Sequence, residues 1–324
     1  HFRFGSPIRT DSVVQDIPVS SDAVPFLTAD ADGWVYTMAP DAIVYGLGEM
    51  PRGINKRGWH YVANNTDESH HGENKVSYYG AHNFLLIDGG PGGDLFGVFV
   101  DFPGKVHYDI GYTVHDTLRF ATEEPDYELY ILTGADLNDI AHQFRQLIGR
   151  SYIPPKWAFG LQQSRWGYKT AEDVREVARQ YKENDLPLDM ICMDIDYMQD
   201  YADFTINKER FPDLAALAVE LKAQGIRLVP IIDAGVRIDP EEPTCTEGLE
   251  KGYFCKKEDG TPFVAAVWPG KAYFADFLRP EVRAWFGHRY KVLTDCGIEG
   301  FWNDMNEPAL FYSPDRLKAF LDSM

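Results

Sequence analysis

The sequence predicts an all-β sandwich followed by a parallel α/β unit, and three observations point there. Short apolar or alternating runs recur between turn residues up to about residue 135. The apolar period then becomes helical at Leu137, and strand-like and helix-like segments alternate beyond about residue 151. At 324 residues the chain exceeds the roughly 100–200 of one domain, so two are expected, 1–150 and 151–324.

In the first segment the runs are Gly33-Trp-Val-Tyr-Thr-Met, Ala42-Ile-Val-Tyr-Gly-Leu, Asn83-Phe-Leu-Leu-Ile, Leu95-Phe-Gly-Val-Phe-Val, Val106-His-Tyr-Asp-Ile, Thr117-Leu-Arg-Phe and Tyr127-Glu-Leu-Tyr-Ile-Leu. Side chains alternate across a strand, so runs of this kind separated by Gly, Pro, Asn and Asp build antiparallel sheets around a shared core. Asp88-Gly-Gly-Pro-Gly-Gly-Asp is a loop tip, because glycine accepts the positive φ of hairpin turns. A phosphate cradle would need a helix behind it, and no helical pattern follows. Ala141, Phe144, Leu147 and Ile148 share one helical face, and Tyr152-Ile-Pro-Pro stops that helix.

In the second segment Trp157 to Gly167 reads as strand and loop, and Thr170 with Asp173 resembles the capping pair of a helix running to Asn184. A strand Leu188–Tyr197, a helix Leu214–Gln224 and a strand Arg227–Asp233 follow. Then come some 45 irregular residues, a helix Pro280–Asp295 and a fourth strand Gly297–Asp304. Near-continuous apolar strands alternating with helices indicate a parallel sheet covered on its faces. Such sheets bind ligands at the C-terminal strand ends, here Arg165-Trp166, Asp194 and Asp196, Asp233, and Asp304. Asp194 and Asp196, two apart on a strand, are expected to share a face. A doubly wound nucleotide fold would want a glycine-rich first turn, which Gln162-Gln-Ser-Arg-Trp lacks, so a barrel fits better.

Composition narrows the function. Asp and Glu number 50 against 31 Lys and Arg, a net charge of −19, so nucleic acid is excluded as a partner. No stretch approaches the ~18 apolar residues of a membrane span. The opening His1-Phe-Arg-Phe-Gly looks like a cut edge rather than a signal peptide, and cytoplasmic location is the expectation. Cys192, Cys245, Cys255 and Cys296 have neither C-x-x-C nor zinc spacing and are expected to be small packed thiols. No cofactor and no metal is implied.

Acids and aromatics without ligand histidines suit glycoside chemistry, in which one carboxylate attacks the anomeric carbon and another protonates the leaving oxygen. For Asp304 and Glu307 the ordinary alternative is a helix-capping Asp-x-x-Glu, and Asp304-Met-Asn306 begins like a calcium loop whose sixth-position glycine is replaced by Ala309.

Gly300-Phe-Trp-Asn-Asp-Met-Asn-Glu-Pro308 resembles the nucleophile signature of glycoside hydrolase family 31, its bacterial α-glucosidases in particular. Val44-Tyr-Gly-Leu-Gly-Glu, Asn65-Thr-Asp67, Tyr79-Gly-Ala-His-Asn-Phe, Ile153-Pro-Pro-Lys-Trp-Ala-Phe-Gly and Met193-Asp-Ile-Asp-Tyr-Met resemble the family in the same order. The resemblance implies an N-terminal antiparallel β-sandwich with a helical exit segment, then the first four βα units of a (β/α)8 TIM barrel. It implies Asp304 as nucleophile, Asp194 as the carboxylate binding glucose hydroxyls, and Asp67 as a sandwich-loop residue reaching over the pocket. Trp166, Ile195, Ile231, Trp268, Trp302 and Met305 match apolar wall positions, each with core packing as the alternative. Glu307 is expected to order the turn, while Lys56, Arg57 and Arg165 are candidates to pair with the pocket acids.

The family's acid/base aspartate, with an Arg and a His of the pocket, belongs to a later barrel segment absent from these residues, so the chain is expected to be the first half of a full enzyme. The expected function is a retaining, exo-acting α-glucosidase on α-linked gluco-oligosaccharides, partnered by the remainder of its own barrel. The alternatives are an α-xylosidase of the same family, or a non-catalytic carbohydrate-binding fragment or subunit.

Overall fold

Ten strands in the first part of the chain pair into two five-stranded sheets. The computed structural model describes residues 2–4, 27–30, 33–124 and 126–313. His1 and Gly5 of the opening segment, and 314–324 of the expected barrel segment, lie outside the described residues. The chain divides into two units, His1–Tyr152 and Ile153–Met324.

The strands of the first unit are β1 (Phe2–Phe4), β2 (Leu27–Asp30), β3 (Gly33–Thr37), β4 (Ile43–Gly48), β5 (Trp59–Ala63), β6 (Ala81–Asp88), β7 (Leu95–Asp101), β8 (Val106–Ile110), β9 (Thr117–Thr122) and β10 (Glu128–Thr133). One sheet has the order β1-β10-β7-β6-β4 and the other β2-β3-β9-β8-β5. All neighbours are antiparallel except β1 with β10. The core takes Val44, Leu85, Ile87, Phe96 and Val98 from the first sheet and Tyr36, Tyr61, Tyr108, Ile110 and Phe120 from the second. This is the sandwich read from the sequence.

The alternate residues of β6 and β7, Phe84, Leu86, Leu95 and Phe99, face the other way, where helix α1 (Leu137–Ile148) lays Ile140 and Phe144 on them. Phe144 stacks on Phe84 with ring centroids 3.8 Å apart. Burial of Ile140 and Phe144 contributes about 1.5–3 kcal/mol each. Gly97 permits the approach, since a Cβ there would stand 2.7 Å from Ile140 Cγ2. Asp136 starts the helix by accepting the Asp139 N–H.

The second unit begins with a 3-10 turn at Lys156–Phe159. It continues with β11 (Gln162–Ser164), α2 (Ala171–Glu183), β12 (Met190–Met193), α3 (Leu214–Ala223), β13 (Arg227–Ile232), β14 (Gly235–Arg237), α4 (Pro243–Glu250), β15 (Val264–Val267), β16 (Gly270–Phe274), α5 (Pro280–Arg289), α6 (Lys291–Thr294) and β17 (Trp302–Asn303). β11, β12, β13 and β17 form a four-stranded parallel sheet in that order, the half-barrel expected. Every residue of β12 is buried, as is all of β13 after Arg227, because helices cover one face of the sheet and Trp157, Ala158 and Trp302 pack on Met190, Cys192 and Val229 of the other. Val174, Leu217, Leu221, Val282, Trp285 and Phe286 supply the helix side of that core. Thr170 and Asp173 form a reciprocal capping box on α2.

Four boundaries differ from expectation. The strand leading to Tyr197 ends at Met193, because the Asp194 carboxylate takes the Ile195 N–H at 2.8 Å and opens a 3-10 turn over Ile195–Tyr197. Asp194 and Asp196 therefore do not share a strand face. The irregular stretch holds α4 and an antiparallel sheet in the order β14-β16-β15. The helix from Pro280 divides at Tyr290 into α5 and α6. The fourth strand shrinks to Trp302 and Asn303.

Candidate active site

Three of the four parallel strands deliver a carboxylate at or just beyond their C-terminal ends: Asp194 after β12, Asp233 after β13 and Asp304 after β17. Asp304 is held through its backbone, its N–H donating to the Ile232 carbonyl at 3.1 Å. Immediately after it Met305 adopts φ 59°, a left-handed conformation that costs a non-glycine residue about 1–3 kcal/mol and turns the chain out of the sheet. Gly300 admits the run into β17, since a Cβ there would stand 2.8 Å from Trp157 Cη2.

Asp304, Asp233, Asn303, Phe277, Phe286 and Tyr290 line a cleft of about 190 Å³. Tyr290 donates to Asn303 Oδ1 at 2.6 Å, fixing the residue before Asp304. Asp233 is 2% exposed, and neither carboxylate oxygen has a hydrogen-bond partner among the described residues. Burial, and then the charges of Asp304 and Asp194, push its carboxyl up to about 7. Asp194 is also raised, chiefly by burial and further by Asp304 and Asp196, against the pull of the Ile195 N–H. Asp196 lies outside the cleft, buried, with Arg210 Nη1 3.4 Å from its Oδ1.

The other predicted positions fall into three groups. Trp166, more than half exposed, and Trp268, at the tip of the β15–β16 hairpin, lie with ring centroids 5.1 Å apart; Phe311 meets Trp268 at 4.8 Å. This makes an aromatic strip of the kind that packs on sugar faces. Ile195 and Ile231 are buried in the main core, Met305 in the small core of the hairpin, and Trp302 is partly buried beside the main core. Asp67 belongs to the first unit, where its Oδ1 accepts from Tyr79 at 3.1 Å.

Within the first unit, Lys56 and Arg57 bond to backbone carbonyls. Lys56 Nζ donates to the Pro51 carbonyl, and Arg57 Nη1 to the carbonyls of Ala39, Pro40 and Ala42. Glu307 has one carboxylate oxygen buried without a partner among the described residues, in the turn after Met305. All four cysteines are free thiols, Cys192 and Cys245 buried. No helix among the described residues is long and apolar enough to cross a membrane.

One buried acid near the site was not anticipated. Asp203 is 3% exposed and its Oδ1 accepts the Asp233 N–H at 2.9 Å. Its only sequence signal is a carboxylate flanked by Tyr201, Ala202 and Phe204, in a loop where an acid would ordinarily be solvated.

A sandwich followed by parallel βα units, with carboxylates gathered at the strand ends and aromatic side chains nearby, is the architecture of carbohydrate-active barrel proteins. Comparison narrows the class. The family model for the glycosyl hydrolases family 31 TIM-barrel domain matches residues 151–322, and that for the glycosyl hydrolase 31 N-terminal galactose mutarotase-like domain matches 20–109. The chain belongs to glycoside hydrolase family 31. It is 41% identical over 269 residues to alpha-glucosidase 2 of Bacillus thermoamyloliquefaciens, which covers 82% of this chain and 34% of that one. It is 31% identical over 285 residues to alpha-xylosidase 1 of Arabidopsis thaliana, covering 86% of this chain and 31% of that one. A solved family 31 dextranase of Flavobacterium johnsoniae, a mutant in complex with isomaltotriose, superposes with a TM-score of 0.79 at 25% identity over 90% of this chain and 36% of that one. The chain thus spans about a third of the length of these relatives.

Proposed function

We propose that this chain is the sandwich and first half-barrel of a retaining, exo-acting α-glucosidase that releases terminal glucose from α-linked gluco-oligosaccharides. The observation that carries the reading is Asp304, at a strand end in a cleft beside the buried carboxyl of Asp233, in a family 31 chain 41% identical to an alpha-glucosidase. The Asp304 carboxylate attacks the anomeric carbon while the bond from that carbon to the aglycone oxygen breaks. A general acid about 5–5.5 Å away, supplied by a barrel segment outside these residues, gives that oxygen its proton. The same group then takes a proton from water, which attacks the anomeric carbon and frees Asp304. Two inversions amount to retention. Asp194 and Asp67 are assigned to glucose hydroxyls. Trp166, Trp268 and Trp302, with Ile195, Ile231 and Met305, are assigned to the apolar walls, the isoleucines acting from the core layer behind the pocket.

Hydrolysis of an aryl α-glucoside by the complete protein and by its Asp304→Asn variant tests this. The expected loss is about 1,000-fold or more in kcat. A variant within tenfold of wild type contradicts the assignment. The 31% identity to an alpha-xylosidase favours one second reading, an α-xylosidase. A higher kcat/KM on the aryl α-xyloside than on the α-glucoside would select it.

A further inference from the structure

The Ile232–Asp233 peptide group is bonded at both ends. Its C=O accepts the N–H of Asp304 at 3.1 Å, and its N–H donates to Asp203 Oδ1 at 2.9 Å. Asp203, from a loop thirty positions earlier, is therefore separated from the backbone of Asp304 by a single planar peptide. Both ends of that peptide lie at the edge of the sheet where strand pairing runs out: the last registered pair between β13 and β17 is Ile232 with Asn303. Beyond this pair β13 and β17 make no further registered pair, and Asp203 accepts the N–H that follows β13.

The loop is built to hold it there. Asp200, Tyr201 and Phe204 adopt φ of 49°, 60° and 61°, three left-handed non-glycine residues around Asp203. Thr205 Oγ1 accepts from Gln199 N at 2.9 Å and donates to the Ala202 carbonyl at 2.5 Å, and Asn207 N donates to the Tyr197 carbonyl at 2.8 Å, so the loop is closed on both sides. Strain of this kind persists where the surroundings over-determine the conformation.

We propose that Asp203 is a positioning residue for the nucleophile, anchoring the Ile232–Asp233 peptide and through it the backbone of Asp304. The inference rests on the function proposed above. Asp203 acts as a hydrogen-bond acceptor: its Oδ1 takes the Asp233 N–H, while burial, reinforced by Asp233, lifts its carboxyl above the usual range. An amide oxygen is then an adequate substitute, and an alkyl group is not. A nucleophile displaced by a fraction of an ångström keeps its ligand affinity and loses rate, because in-line attack is more sensitive to geometry than binding is.

The test is steady-state hydrolysis of an aryl α-glucoside by the complete protein and its Asp203→Asn, Asp203→Leu and Asp304→Asn variants, each checked by near-UV circular dichroism. Asp203→Asn is expected within about threefold of wild type in kcat and KM. Asp203→Leu, of similar volume without an acceptor, is expected to lose about ten- to a hundredfold in kcat with KM within about threefold. Should Asp203→Leu not reach the wild-type spectrum, Asp203→Ala carries the comparison. A folded acceptor-less variant matching Asp203→Asn in kcat overturns the inference, as does a loss carried by KM alone, or a folded Asp203→Asn as slow as Asp203→Leu. Failure of the underlying function reads differently: wild type would be inactive, or Asp304→Asn would retain activity, whatever Asp203 does.

Discussion

Asp233 is a cleft carboxyl raised toward neutrality, and the consequence can be measured. Its carboxyl is pushed up to about 7 by burial and by Asp304 and Asp194, against about 3.9 in an unfolded chain. The folded state therefore keeps a proton that the unfolded state has released. The stability this contributes is fully present below about pH 4 and is lost as the pH rises through about 7. Replacement by Asn removes the loss. Between about pH 5.5 and about pH 8, denaturant unfolding should show wild type losing about 2 kcal/mol relative to Asp233→Asn; an unchanged difference contradicts a raised Asp233. Asp194→Ala should lower kcat/KM for an aryl α-glucoside about ten- to a hundredfold, chiefly through KM, since hydroxyls desolvated on binding would lose their acceptor. An unchanged KM would place Asp194 outside the glucose site. Asp194, Asp233 and Asp304 were legible as acids ending apolar runs. Asp203 was not, because its contact is with a backbone group of a distant strand, and no periodicity records that.

At the scale of elements, legibility followed the number of residues that obey one period. The strands Ala81–Asp88 and Leu95–Asp101 are legible as apolar runs, because the sandwich core covers one face and the helix Leu137–Ile148 the other. The strand Trp59–Ala63 was missed: its first two residues are exposed, and only Tyr61 and Ala63 carry the pattern. The hairpin Val264–Phe274 does not stand out from the sequence because two of its four buried positions, Ala265 and Ala272, are small and leave no marked apolar alternation. The Thr170 capping box was read correctly since it is wholly local. Thr170→Ala should cost about 0.5–2 kcal/mol by losing the Asp173 N–H acceptor, and thermal unfolding with no change would show the box to be idle. Gly97→Ala should cost about 1–3 kcal/mol by overpacking against Ile140. A neutral substitution there would mean that the helix Leu137–Ile148 moves freely off its sheet.

For the whole molecule, 50 acidic against 31 basic residues produce self-repulsion that salt screens. The thermal midpoint should rise by about 2–5 °C between low and about 0.2 M sodium chloride, and a fall would mean that ion pairs such as Arg175 with Glu220 outweigh repulsion. The sequence disclosed the order of the two units because each has its own period, but not which carboxylates converge, since convergence depends on how four strands register. Among the described residues the outer edges of the strands Gln162–Ser164 and Trp302–Asn303 have no strand neighbour. Asp304 is the residue proposed to attack the sugar. Peptide mapping of the complete protein after reaction with a fluorinated α-glucosyl mechanism-based reagent tests it most directly. One fluoroglucosyl adduct is expected, on the peptide containing Asp304. An adduct on another residue, or turnover of the reagent with no covalent intermediate, would contradict it.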